Sequence, residues 1–328
     1  MPSWGEILGE LKQSFSSPGG PPDYDGIRRK YLIALHANTG RNTILYATDW
    51  FNKPGPGSSI TLEDMQGMME VCRGLRGPAL DLILHSPGGS AEATASIVRY
   101  LRRKFSDIRV FVPLAAMSAA TMWALSANEI YMGKHSQLGP VDPQLITAQG
   151  QAPARAIIEQ FEKAKEEISE NPALLGAWVP ILQQYGPALI IQCEKAEELA
   201  RKLVGEWLEK YMFGAESNGA AKAKKVADWF ADYATHPSHA LGISRDEAKK
   251  IGANIQDLEK DQELQDLVLS VHHATMHTFA GTGAVKVVEN QSGRAFVKTA
   301  QVFQFQVPGM QSLGPSLVPG APGLPFTA

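Results

Sequence analysis

Short runs dominated by apolar residues alternate along this chain with longer segments in which apolar residues recur every three or four positions. Runs of the first kind predict buried strands, and segments of the second kind predict helices with one apolar face. The predicted strands are residues 43–47, 79–84, 109–112 and 129–132. The helices predicted beside them are 31–37, a segment starting at Thr61 and Asp64, 92–105 and 118–126. This alternation predicts an α/β fold with a mostly parallel sheet and right-handed crossovers.

Beyond residue 143 the helical pattern dominates. The predicted helices there are 154–170, 172–184, 187–213, 220–233, 244–252 and 257–278. Residues 284–289 and 294–300 are predicted to pair as a hairpin across a polar, glycine-containing turn. Residues 308–328 carry five prolines with interspersed glycines, which predicts a disordered or extended tail.

These patterns divide the chain into four parts. Residues 1–27 are predicted to form an amphipathic N-terminal helix and a Ser/Pro/Gly-rich linker. Residues 28–255 are predicted to form the α/β domain, which includes a helical arm at 153–233. A C-terminal helix and hairpin extension follows at 256–307, and the tail occupies 308–328.

Composition narrows the class of protein. A formal net charge of −3 over 328 residues gives no reason to expect nucleic acid or an acidic membrane surface as a partner. Cys72 and Cys193 lack the paired spacing of a metal site, and we predict no metal and no cofactor. Glu6 and Glu10 occupy the segment where a signal peptide needs an apolar core. No run reaches the ~20 apolar residues of a membrane span, so we expect a cytoplasmic protein without an integral membrane segment.

Two turns carry the candidate chemistry. Gly88 and Gly89 follow the predicted strand 79–84 and precede a helix, while Ser118 stands where the next strand gives way to another helix. Neighbouring parallel strands bring their carboxyl ends together, so we expect both turns to open on one crevice. The N–H groups of Gly89 and Ala119 could then hold an oxyanion beside a serine nucleophile, as acyl transfer requires.

The sequence is also compatible with simpler interpretations of both turns. The glycine pair lacks the spacing of a dinucleotide-binding or P-loop motif, which disfavours a phosphate site, but it could be a tight turn without any ligand. A serine at a helix start is most often an N-cap. The position of Ser118 relative to Gly88 and Gly89 favours a role as nucleophile over a role as N-cap.

A serine nucleophile needs a base, and the sequence offers several. His135 lies in a loop near the same sheet edge, and His236 and His239 flank a Pro-Ser loop between helices. His85, on the strand that enters the glycine turn, is interpreted as a packed neutral residue. Asp142 could orient an imidazole base. Lysine is the alternative, because a desolvated lysine can deprotonate serine, and the candidates are Lys163 and Lys165. Sequence spacing does not choose among these residues.

With these residues identified, the chain resembles the serine dehydrogenase proteinase family, Clp-fold serine peptidases related to signal peptide peptidase and the Clp protease. The similarity covers roughly residues 28–255 and is carried by segments 31–50, 84–90 (LHSPGGS), 115–141 and 235–252. It implies a crotonase-like, ClpP-like spiral of ββα units and self-association into a homo-oligomer through the helical arm. It also places the nucleophile at Ser118, with oxyanion donors from Gly88 or Gly89 and from Ala119.

The resemblance leaves two bases open. Clp-like relatives use a triad of Ser, His and Asp, which Ser118, Asp142 and His239 could meet here, with His236 as the substitute. Signal-peptidase-like relatives use a Ser-Lys dyad. Near the position of that lysine stand two candidates, Lys163 and Lys165, and Ser136 resembles the hydroxyl residue that helps to place the lysine.

The sequence therefore predicts a serine peptidase that acts on polypeptides. Two alternatives belong to other classes. The first is a catalytically weak oligomeric scaffold that binds other proteins through the arm and the tail. The second is an acyl-CoA enzyme of the crotonase type, which shares the paired-turn oxyanion hole but has no use for the serine.

Overall fold

Alternating strands and helices make up the structure, a computed structural model that describes residues 4–15, 20–147, 150–236 and 238–300. The helices in these residues are α1 (Trp4–Gln13), α2 (Tyr24–Thr39), α3 (Asp64–Cys72), α4 (Ala91–Lys104), α5 (Ala119–Leu125), α6 (Ala154–Glu170), α7 (Leu175–Leu182), α8 (Leu189–Trp207), α9 (Gly219–Phe230), α10 (Arg245–Ile251) and α11 (Gln262–Gly281). The strands are β1 (Asn42–Thr48), β2 (Ala79–His85), β3 (Asp107–Val112), β4 (Ala115–Ala116), β5 (Glu129–Met132), β6 (Gln137–Leu138), β7 (Gln144–Thr147), β8 (Gly150–Pro153), β9 (Ile243–Ser244), β10 (Ile255–Asp257), β11 (Ala284–Asn290) and β12 (Ala295–Thr299).

The central sheet has seven strands in the order β10-β5-β3-β2-β1-β11-β12. The first five of these run parallel, with Leu45 beside Ile83 and Leu82 beside Val110. The last two form an antiparallel hairpin, and β11 pairs antiparallel with β1. Every residue of β1 is buried, as expected for a strand whose sheet is covered on both faces. The predicted α/β class with a mostly parallel sheet is confirmed.

Side chains of the central strands alternate between two helical layers. Tyr46, Leu82 and Val110 pack into a core that includes Trp123 of α5 and residues of α3, α4, α8 and α9. Their neighbours along the strands, such as Leu45 and Ile83, pack against α1, α2 and α11. This period of two follows from strand geometry and gives the sheet an apolar layer on each face.

A second, smaller sheet is the element that positions the candidate site. It consists of β4, β6 and β9, each two residues long. Ala116 lies beside Leu138, and Leu138 lies beside Ile243. Strands of two residues have no detectable hydrophobic period, so the sequence pattern did not predict them. A further hairpin of β7 and β8 leads into α6.

The chain parts predicted from the sequence are joined more closely in the structure. The segment predicted as a C-terminal extension is part of the main fold, because β11 lies beside β1 and α11 packs on α2. In the predicted arm, α6 and the start of α8 form a small separate core around Ile157 and Cys193. The end of α8 and all of α9 instead enter the main core through Val204, Val226 and Phe230. The predicted tail, 308–328, lies outside the described residues.

The N-terminal helix packs on its own chain. Ile7 and Leu11 of α1 are buried in the core shared with α2 and α11, whereas Trp4 and Leu8 remain partly exposed. Among the described helices, none is both long enough and apolar enough to span a bilayer.

Two buried histidines lie behind the glycine turn. His85, the last residue of β2, is fully buried, and its Nδ1–H donates to the Ala115 carbonyl at 3.1 Å. Its ring lies 5.1 Å from the ring of His272 on α11. Burial lowers the pKa of His85 to about 4. Burial and the neighbouring imidazole hold the pKa of His272 well below its usual range. Both side chains are therefore neutral in the folded protein near pH 7, as the sequence interpretation of His85 expected.

These histidines predict acid sensitivity of the fold. Because the folded-state pKa lies below the unfolded value, the unfolded chain binds more protons, and stability is lost as the pH falls from 6.5 towards 4. We expect His85 alone to lower the free energy of unfolding by about 2 kcal/mol between pH 7 and pH 4.5. Denaturant unfolding at both pH values measures this, and His85→Leu should flatten the dependence by that amount. An identical pH dependence in the variant would contradict the prediction.

Candidate active site

The glycine turn joins β2 to α4 and is bent in a way that needs glycine. Gly88 and Gly89 have φ values of +95° and +148°, a region that L side chains rarely adopt. Ser90 follows as the N-cap of α4, accepting a hydrogen bond from the Ala93 N–H at 3.0 Å. Ile60 lies alongside the turn, and its N–H donates to the Gly88 carbonyl at 2.7 Å. The turn is therefore held against Ile60 by a backbone hydrogen bond, and Ser90 caps the helix that follows it.

Ser118 has a strained backbone and an uncommitted hydroxyl. It precedes α5 with φ +51° and ψ −120°, and its side chain makes no capping hydrogen bond. Among the described non-glycine residues, only Ala188 shares a positive φ. Ser118 thus occupies the N-cap position of α5 without a side-chain capping bond, whereas Ser90 makes that bond in the neighbouring turn. A strained conformation at a strand-to-helix turn presents the side chain outward, and such strain clusters at functional sites.

The two turns contact each other directly. A Cβ at Gly88 would lie 2.5 Å from the Met117 carbonyl oxygen, 2.8 Å from the Ala119 nitrogen and 2.9 Å from the Ser118 Cβ. Before this contact, the Met117 N–H donates to the Ser86 carbonyl at 2.9 Å. The two turns are thus adjacent, with the glycine backbone against Ser118.

The two turns carry three candidate backbone donors, the N–H groups of Gly88, Gly89 and Ala119, and one of them is already engaged. The Gly88 N–H donates to the Ser86 hydroxyl at 3.1 Å. Within the described part of the chain, the N–H groups of Gly89 and Ala119 donate to no protein acceptor. Ala119 occupies the first helical position, which has no intrahelical acceptor. Of the sequence candidates, Gly89 and Ala119 are therefore the N–H groups still available to an oxyanion.

Asp142 and His239 form a close pair. His239 Nδ1 lies 2.7 Å from Asp142 Oδ1. The aspartate is 3% exposed, whereas the imidazole side chain is 26% exposed. The second carboxylate oxygen accepts a hydrogen bond from Gln144 Nε2 at 2.7 Å, a partner that the sequence did not reveal. The carboxylate is thus buried and oriented, while the imidazole still reaches solvent.

The small sheet joins the chain segments that carry this pair and Ser118. Ser118 comes two residues after β4, Asp142 four residues after β6 and His239 four residues before β9. Gly139, between β6 and Asp142, packs so closely that a Cβ there would lie 3.0 Å from the Ser118 nitrogen. Segments far apart in sequence therefore converge because three two-residue strands pair in register.

The other histidine candidates are engaged in structural contacts. His236 Nε2 donates to the Trp229 carbonyl at 3.1 Å, and its ring packs edge-on against that indole. Burial lowers the pKa of His236. His135 Nε2 donates to the Pro113 carbonyl at 3.0 Å. One nitrogen of each ring is thereby fixed to the backbone.

The lysine candidates lie on α6 in water. Lys163 is 67% exposed and 3.8 Å from Glu167, and Lys165 is exposed as well. The desolvation that a lysine base requires is found for neither. Ser136 donates to the Val112 carbonyl at 2.6 Å and accepts from the Gly133 N–H at 2.9 Å, so its hydroxyl closes a turn. In the described residues, no group of three or more His, Cys, Asp or Glu side chains converges as metal ligands do.

Comparison with known sequences identifies relatives. The sequence profile of a family described as ClpP-like SDH-type serine proteinases matches residues 58–269. Two uncharacterized proteins of Methanocaldococcus jannaschii, MJ1495 and MJ0137, are 34% and 32% identical over 170 and 173 residues. These matches cover 46% and 48% of this chain and 54% and 57% of the relatives. The chain thus spans about half the length of the curated relatives it matches.

Solved structures give a more distant likeness. Two are of a protein described as 1510-N membrane-bound stomatin-specific protease, one a serine-to-alanine mutant and the other a lysine-to-alanine mutant in complex with a substrate peptide. Their identities to this chain are 17% and 16%, and their TM-scores are 0.37 and 0.38. The alignments cover 64% and 63% of this chain and 79% and 74% of those chains.

The close contact at Gly88 predicts that this position does not accept a side chain. Gly88→Ala combines positive-φ strain with a clash against Met117 and Ala119, whereas Gly74→Ala, at φ +84° with nothing within 4 Å, carries the strain alone. We expect Gly74→Ala to cost about 1 kcal/mol of unfolding free energy and Gly88→Ala about 1–3 kcal/mol more. Denaturant unfolding of both variants compares the costs. Equal costs would show that the two turns do not touch.

Proposed function

Because this chain belongs to the family of ClpP-like SDH-type serine proteinases, we propose that it hydrolyses peptide bonds by nucleophilic attack from Ser118. The observation that carries the proposal is that Ser118 has a strained backbone, makes no capping hydrogen bond and contacts the Gly88 turn. A serine used only to cap a helix has no need of a positive φ. The proposed substrate is a polypeptide; a homo-oligomeric, cytoplasmic protein remains a prediction from the sequence.

The Asp142–His239 pair supports a triad as the activating machinery. With Nδ1–H donated to the carboxylate, the neutral imidazole presents Nε2 as an acceptor, which is the tautomer that a general base needs. His239 takes the Ser118 hydroxyl proton as the serine oxygen bonds to the peptide carbonyl carbon. It then gives that proton to the departing amine as the C–N bond breaks. Water repeats the sequence on the acyl-enzyme, releasing the acid and restoring the serine.

The backbone donors support the other half of the chemistry. Attack on a carbonyl moves negative charge onto its oxygen, and preorganised N–H groups stabilise that charge without reorganising. Gly89 and Ala119 supply such groups from two turns in contact. Helix dipole adds to this, because Ala119 is the first residue of α5.

Ser118 and Ser90 form a matched pair of helix-start serines that separates chemistry from capping. Ser118→Ala should abolish labelling by a fluorophosphonate probe and peptide hydrolysis, yet change the unfolding free energy by about 0.5 kcal/mol or less, since no cap is lost. Ser90→Ala should keep the labelling and lose about 1 kcal/mol, because it removes a cap. Gel labelling and denaturant unfolding measure both. Robust labelling of the Ser118 variant would rule out the assignment.

His239 and His236 allow a test of the base within one loop. We expect His239→Gln to lower kcat by about 10²–10⁴-fold, because serine loses its proton acceptor, and Asp142→Asn to lower it by a similar factor through the wrong tautomer. His236→Gln removes a ring that packs on Trp229 and should keep kcat within about threefold. Steady-state kinetics on a chromogenic peptide compares the three. If His236→Gln abolished activity and His239→Gln did not, His236 would replace His239 as the proposed base.

A further inference from the structure

We propose that the buried pair Lys286–Asp64 positions the Gly88-Gly89 turn through Ile60, and so sets the direction of the Gly89 N–H. This inference rests on the proposed function, in which Gly89 is an oxyanion donor. Lys286 comes from β11, and therefore from outside the residues 58–269 that the family profile matches. It is a positioning residue and touches no substrate.

The first link is a charge pair removed from water. Both side chains are fully buried. Lys286 Nζ lies 2.6 and 2.7 Å from the two Asp64 carboxylate oxygens and 2.8 Å from the Ser59 carbonyl oxygen, so its three N–H donors are all used. Asp64 also accepts from the Tyr46 hydroxyl at 2.8 Å. Because a buried ion pair is expensive to desolvate, its presence is weak evidence that it stabilises the fold. Its role lies instead in the backbone groups that it holds in place.

The second link runs from this pair to Ile60. Lys286 holds the carbonyl of Ser59, the residue before Ile60. Asp64 holds the N–H of Thr61, the residue after it, at 2.9 Å. Ile60 is thus fixed at both of its peptide bonds, and its own side chain is buried. The two charged side chains therefore hold the backbone of this segment, which is part of the loop between β1 and α3.

The third link runs from Ile60 to the glycine turn. The Ile60 N–H donates to the Gly88 carbonyl at 2.7 Å, and the Ile60 carbonyl accepts from the Ser90 N–H at 3.0 Å. A Cβ at Gly89 would lie 2.4 Å from the Ile60 oxygen, so the two backbones are in close contact without slack. In a planar trans peptide the C=O and N–H point in opposite directions. Fixing the Gly88 carbonyl on Ile60 therefore aims the Gly89 N–H away from Ile60.

The same hairpin supplies a matched control. Lys298 on β12 pairs with Glu63 at 2.6 Å, beside Asp64 in sequence, but both of these side chains reach solvent. Exposed pairs of this kind contribute little. The two lysines thus make similar contacts from neighbouring strands, and only Lys286 is linked to Ile60.

The test compares Lys286→Met/Asp64→Asn with Lys298→Met. The double variant leaves no unpaired buried charge and retains an oxygen acceptor for Tyr46 and Thr61, but loses the hold on Ser59. We expect kcat on a chromogenic peptide to fall about tenfold or more with KM within about threefold, because a displaced oxyanion donor weakens transition-state binding alone. Fluorophosphonate labelling of Ser118 should slow by a similar factor, and Lys298→Met should match wild type.

A second measurement does not depend on activity. Amide hydrogen exchange at Ile60 and Ser90 should be at least about tenfold faster in the double variant than in Lys298→Met, while the β2 amides keep their protection. Unchanged exchange and unchanged kcat in a folded double variant would overturn the positioning role and leave the peptidase proposal intact. If the wild-type protein showed no Ser118-dependent peptide hydrolysis, the peptidase proposal would be overturned. The hydrogen-exchange comparison would still decide whether the Lys286–Asp64 pair positions the turn. If the double variant does not fold, rapid exchange of both amides in wild type would overturn the inference, and slow exchange would support it.

Discussion

The close approach of Gly88 to Ser118 is the constraint around which the candidate site is arranged. Side chains cannot make this contact, since any Cβ at position 88 would overlap the backbone of Met117 and Ala119. Ser118 in turn adopts a backbone conformation that costs of order 1–3 kcal/mol and persists only where its surroundings impose it. Those surroundings are closely packed, because all seven residues of α5 are buried. The contact thus depends both on the strained backbone of Ser118 and on the absence of a side chain at Gly88.

Other segments of the candidate site are also placed by backbone pairing. The small sheet of β4, β6 and β9 carries Ser118, Asp142 and His239 just beyond its strands, and Ile60 pairs with the glycine turn on its other side. Because these contacts are between main-chain groups, they tolerate many sequences at the positions between. What they require is small residues at close approaches, such as Gly139 against Ser118.

Much of this arrangement could be predicted from the sequence because it depends on local patterns. The apolar runs located β1, β2, β3 and β5, and the order of strand and helix indicated that the two turns share an edge. Sequence spacing does not choose between His236 and His239, and only the family resemblance favoured His239, with His236 as the substitute. They lie three residues apart in one loop, and the direction of each ring depends on how β9 docks on β6.

Long-range charge pairing was the other feature beyond the reach of local patterns. Asp64 reads in the sequence as part of a helix start, and it does accept the Thr61 N–H, but its main partner is a lysine from the far end of the chain. The C-terminal hairpin was correctly predicted as a hairpin and placed as an extension. Nothing in its period of two reveals which strand it will pair with, so its position beside β1 had to come from the structure.

Charges on β11 fix how that hairpin joins the sheet. Lys286 and Glu289 are three residues apart, so they point to opposite faces, the first towards Asp64 and the second towards Arg28 and Arg29 of α2. A slip of one residue against β1 would turn Lys286 towards the two arginines and Glu289 towards Asp64. Both charges would then be buried beside charges of the same sign, at a cost of several kcal/mol. The register that pairs Thr48 with Lys286 is thus favoured in two ways. Its ion pairs stabilise it, and like-charge repulsion destabilises the registers shifted by one residue. The hold on Ile60 requires that register.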